Sequence, residues 1–104
     1  MNLGELFKQA KELQDRAEVL QNRIASIEVV GESGAGLVRV ALSGKGDLNR
    51  VSIDPSLVQA DQATTVEDLL IAAHADAKAK LERRLAEEIK STTGGLSLPP
   101  GFRL

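Results

Sequence analysis

Few side chains in this sequence could do chemistry. His74 is the only histidine, and it sits among alanines, with Ala72, Ala73, Ala75 and Ala77 around it. A metal site wants more His or Cys nearby, and a general base wants a partner acid and a nucleophile. Asp76 is two residues away, a spacing that turns it to another side of a helix. His74 therefore reads as a structural or interface residue. Ser33, Ser43 and Ser52 have no second histidine to activate them, so no nucleophilic triad can be assembled. The chain has no Cys, which excludes disulfides and Cys-ligated metals. No catalytic residue, cofactor, metal or small-molecule substrate is expected.

Glycines are the next candidates. Gly31, Gly34 and Gly36 could be taken for a phosphate cradle, but a dinucleotide loop needs Gly-x-Gly-x-x-Gly between a strand and a helix. Here the spacing is reversed and a strand pattern follows. Gly44-Lys45-Gly46 lacks the upstream Gly and the downstream Ser or Thr of a P-loop. Both clusters read as hairpin turns.

That leaves the basic residues, whose chemistry is the neutralisation of phosphates. Lys8, Lys11, Arg16 and Arg23 lie in the first third of the chain, and Lys78, Lys80, Arg83, Arg84 and Lys90 in the last. Lys80, Arg83 and Arg84 form a local cluster. The competing reading is a solvated face interleaved with acids. The net charge is −2, so the chain is not a globally basic binder. The acidic excess sits in the middle: residues 1–26 carry four basic and four acidic groups, residues 27–63 three and five, residues 64–104 six and six.

The elements that must carry these residues follow from the hydrophobic pattern. Leu6, Ala10, Leu13, Ala17, Leu20, Ile24 and Ile27 are spaced alternately by four and three, a heptad seam on a helix over 3–27. Three strands are expected next, over 27–32, 37–43 and 48–54. Val38, Val40 and Leu42 share one face of the second strand, and Val51 and Ile53 one face of the third. Pro55 closes the sheet. A second helix is expected from Thr65 to about Lys90, opened by a Thr64/Glu67 capping box and carrying Val66, Leu69, Leu70, Ala73, Ala77, Leu81, Leu85 and Ile89 as its apolar stripe. Residues 1–93 thus read as one α-β-β-β-α domain of the α+β class. Gly94-Gly95 stops the helix, and residues 94–104 are expected to form a flexible tail.

Size adds a constraint. A helix of 25 residues is about 37 Å long, whereas three strands make a sheet about 15 Å wide with strands of roughly 20–25 Å. The helices overhang the sheet, yet the first seam stays apolar throughout. The core is also short of bulk, with Phe7 and Phe102 the only aromatics. A second copy of the chain is the simplest cover, making a homodimer. Leu6, Leu13 and Leu20, with Val38 and Val40, are the expected interface residues, and exposed strand edges offer another two-fold contact. No apolar run approaches the roughly 20 residues that span a bilayer, and no secretory signal is visible, so a cytoplasmic protein without a membrane partner is expected.

Several stretches resemble one family. Phe7-Lys8-Gln9-Ala10-Lys11-Glu12-Leu13-Gln14 resembles the opening helix of the YbaB/EbfC nucleoid-associated proteins. Gly31 to Val40 (GESGAGLVRV) resembles their first hairpin, Val51 to Leu57 (VSIDPSL) their third strand and turn, and Leu98 to Phe102 (LPPGF) their tail. The likeness covers nearly the whole chain in order. It departs in the first helix, where Leu and Ala occupy seams that are often Met-rich in the family, and in arms less basic than is usual there. The resemblance implies a tweezer-shaped homodimer with helical arms that binds double-stranded DNA at the nucleoid and catalyses nothing. It makes the nine basic residues named above the candidate DNA contacts. A protein-interaction adaptor, in which the seam docks a partner helix, stays open as the alternative.

Overall fold

The structure, a computed structural model, describes residues 2–93. Helix α1 (Leu3–Ala25) is followed by strands β1 (Glu28–Ser33), β2 (Val38–Ser43) and β3 (Leu48–Ile53), two short 3-10 turns (Pro55–Leu57 and Ala60–Gln62) and helix α2 (Ala63–Thr93). The sheet is an antiparallel meander in the order β1-β2-β3. The expected tail falls outside the described residues.

Local chemistry sets the ends. Asn2 caps α1 by accepting the Glu5 N–H at 2.8 Å. The helix stops two residues before the seam does, because Ser26 donates its hydroxyl to the Arg23 carbonyl at 2.8 Å and Ile27 turns into the core. Gly34, Ala35 and Gly36 all have positive φ, which carries the chain round the first hairpin. Asp54 holds the turn after β3 by accepting the Ser56 N–H at 2.9 Å. The Thr64/Glu67 capping box is not used. The Ala60–Gln62 turn runs straight into α2, so Thr64 already lies inside the helix.

Helix α2 lies across β1 and β2. Ile27, Val38, Val40, Leu42 and Leu57 meet Ala73, Ala77 and Leu81 in the core, with Val66, Leu69, Leu70 and Leu85 packed around them. Close approach depends on Gly31, where a Cβ would run into the backbone of Ala73 and Ala77. Val38 and Val40 correct an expectation: at 0% and 1% exposure they are the centre of the single-chain core and cannot face a partner. The alternation of β2 marks them as one face, and α2 of the same chain covers that face.

Helix α1 buries no residue. Near its C-terminal end it meets α2, where Arg23 approaches Ser91 and Glu88. The rest projects as an arm, and the molecule measures 71 × 26 × 16 Å.

Candidate nucleic-acid interface

The α1 arm has two chemically distinct sides. Leu6 is 45% exposed and Leu13 66%, with Leu20 half-buried, so among the described residues the outer part of the seam is an open apolar stripe, while Ile24 and Ile27 at its end pack into the core. At 100° per residue, Lys8 and Lys11 point away from that stripe, while Arg16 and Arg23 flank it. Among the described residues no ion pair engages Lys8, Lys11 or Arg16. A cover on the stripe would leave Lys8 and Lys11 in water.

The basic residues of α2 divide by engagement. Lys78 and Arg83 are exposed, with no ion pair among the described residues, and Lys90 is exposed too. Lys80 lies 3.0 Å from Asp76 Oδ2 and donates to the Val30 carbonyl at 3.2 Å. Arg84 lies 3.1 Å from Glu88, and Glu88 also lies 3.9 Å from Arg23. Arg23 further donates to Ser91 Oγ at 3.4 Å. Lys80, Arg84 and Arg23 therefore tie α2 to β1, to itself and to α1. The Lys80-Arg83-Arg84 cluster of the sequence is one open cation beside two engaged ones.

Asp76 anchors this arrangement. Its carboxylate accepts the backbone N–H of Glu32 at 2.9 Å. That bond, then Lys80, and more weakly Arg83, hold its pKa below the ordinary aspartate value of 3.8.

Two further arginines escaped the list of candidates. Arg39 and Arg50 stand on the sheet face opposite α2, beside a shallow groove of about 350 Å³ that Val30, Ala41 and Ser52 also line. Arg39 lies 3.4 Å from Glu32 and Arg50 2.6 Å from Glu28. The strand alternation of Arg39 and Arg50 with the core residues was the signal available for them. His74 is exposed on α2, and no group of three His, Cys, Asp or Glu that could hold a metal occurs among the described residues. No described helix is long and apolar enough to cross a membrane.

Comparison with known proteins bears on this surface. The profile of the YbaB/EbfC DNA-binding family matches residues 1–96. A nucleoid-associated protein of Brucella ovis is 54% identical over 99 residues, covering 95% of this chain and 92% of that protein. Nucleoid-associated proteins of Brucella canis and Brucella melitensis show the same identity and coverage. In fold, the chain is similar to the crystal structure of an uncharacterized protein from Helicobacter pylori, with a TM-score of 0.70 at 22% identity over 90% of this chain and 99% of that one.

Proposed function

Because the chain belongs to the YbaB/EbfC DNA-binding family, we propose that it acts at the nucleoid as a homodimer that holds duplex DNA with low sequence selectivity and so influences nucleoid organisation and gene expression. The relatives at 54% identity are named for nucleoid association. The observation that carries the reading is the arm: Lys8, Lys11 and Arg16 are exposed and unpaired among the described residues, and they project beyond the packed domain. Lys78 and Arg83 add open cations on α2.

The contact is chiefly to phosphates. The arms carry one aromatic, Phe7, so stacking on unpaired bases is a minor contribution. Phosphate contacts position a protein on the duplex and carry little sequence information. The protein binds rather than catalyses. The homodimer reading draws on the apolar stripe of α1 at Leu6 and Leu13, which none of the described residues buries. The adaptor reading draws on the same stripe, so solution mass separates the two: a second copy gives twice the chain mass, whereas a chain awaiting a different partner stays single. Gel shifts with duplexes of unrelated sequence test the DNA claim, with similar affinities expected for all of them.

A further inference from the structure

We propose that Arg23, Arg84 and Ser91 form a latent phosphate site at the junction of the two helices, held in the free protein by the Glu88 carboxylate, and that Glu88 thereby limits how tightly the protein binds DNA. The inference rests on the proposed duplex binding and adds to it the group that sets the affinity.

Spacing brings these side chains together. Arg84, Glu88 and Ser91 stand four and three residues apart, so they share one face of α2. The last turn of α1 carries Arg23 to that face from 68 residues away. The two oxygens of Glu88 are divided between the helices: Oε1 lies 3.1 Å from Arg84 Nη2 and Oε2 lies 3.9 Å from Arg23 Nη1. Arg23 Nη1 also donates to Ser91 Oγ at 3.4 Å. Two guanidinium groups and a hydroxyl thus gather round one anion.

A tie between α1 and α2 needs only Arg23. Arg84 belongs to the same helix as Glu88 and adds nothing to that tie. Its presence makes the cluster a set of donors suited to an anion, since the guanidinium fork fits carboxylate and phosphate alike. The arrangement also permits exchange. The Arg23 and Arg84 side chains are 48% and 53% exposed, whereas Glu88 is 17% exposed, so the cations reach water while the carboxylate lies deeper. Exposed ion pairs are weak and screened by salt, and a duplex offers a dense row of phosphates in their place. The junction continues the open cations of the arm. Arg16 is exposed and lies two turns before Arg23 on the same side of α1, about 10 Å away. Val19 and Leu20 stand between them, with no acid. A DNA strand held at Arg16 reaches the junction about three nucleotides further on, at 3.4 Å each.

Filter binding of the full chain to a mixed-sequence duplex over a salt series tests the inference. Glu88→Gln keeps the size of the side chain and removes its charge. It should tighten binding and steepen the fall of log affinity with log salt by about 0.9 for each arginine that gains a phosphate. Glu87→Gln makes the same change in net charge on an exposed neighbour with no ion pair among the described residues, and should stay near the parent's slope. Arg84→Gln leaves the tie between the helices intact and gives a second test that does not depend on the junction's stability. It should cost more affinity in the Glu88→Gln background than in the parent. The combined change Arg23→Gln, Arg84→Gln and Glu88→Gln should lose the gain altogether. A parent that binds while Glu88→Gln matches Glu87→Gln in affinity and slope, or a gain that survives the loss of both arginines, overturns the inference and leaves the proposed function standing. A parent with no salt-sensitive binding overturns both.

Discussion

Asp76 on α2 accepts the backbone N–H of Glu32 on β1 at 2.9 Å, so a helix side chain closes the ladder position that a fourth strand would otherwise fill. The same carboxylate lies 3.0 Å from Lys80, which in turn reaches Val30. This small network holds the helix to the edge of the sheet.

Its pH dependence has a definite sign. The Glu32 N–H and Lys80 hold the folded pKa of Asp76 below 3.8, so the bonded carboxylate adds stability above the unfolded pKa and loses it as pH falls through the folded one. Asp76→Ala should lower the melting temperature at pH 7. The gap between parent and variant should close as pH drops below about 4. A gap that is constant down to pH 2 would mean that the charge of Asp76 does not contribute.

Gly31 and Gly46 should respond oppositely in kind. At Gly31 a Cβ meets the backbone of Ala73 and Ala77, which cannot move without shifting α2. Gly31→Ala should cost about 1–3 kcal/mol or more in urea unfolding. At Gly46 there is open space but φ is +89°, so Gly46→Ala should cost only about 1–2 kcal/mol, as backbone strain. A Gly31→Ala cost below about 1 kcal/mol would remove the close helix–strand approach from the account.

Leu13 tests the stripe. It is 66% exposed in the single chain and α1 buries nothing there, so Leu13→Asp should leave the β-sheet and α2 folded while halving the mass seen by sedimentation equilibrium. Unfolding in place of dissociation would mean that the arm supports the core. A dimer of unchanged affinity would move the homodimer contact elsewhere.

Much of this architecture is legible in the sequence. The heptad spacing on α1 and the stripe on α2 give both helices, and the glycines mark both hairpins. What escaped depended on contacts distant in sequence. The alternation of Val38 and Val40 tells which residues share a face but not that α2 of the same chain covers it. Lys80 reads as a free cation until Val30, 50 residues earlier, is brought beside it, and Arg23 until Ser91, 68 residues later, is. The entry into α2 is not marked by the Thr64/Glu67 pair because the 3-10 turn at Ala60–Gln62 starts the helix without a capping side chain.

Among the basic residues, engagement should order the effects on DNA. Arg83→Gln removes an open cation and should weaken binding with no change in thermal stability. Lys80→Gln breaks two contacts within the chain, so it should lower the melting temperature more than it lowers affinity. Thermal melts and filter binding on the two variants, side by side, check this ordering, and a reversal would exchange their assigned roles.

The salt dependence of duplex binding tests the central claim most directly. The logarithm of affinity should fall linearly with the logarithm of salt concentration, by about 0.9 per neutralised phosphate. The combined change Lys8→Gln, Lys11→Gln and Arg16→Gln should weaken binding and flatten that line, with the dimer still folded. A parent with no salt-sensitive binding at low ionic strength, or a triple variant with the parent's affinity and slope, would contradict the account.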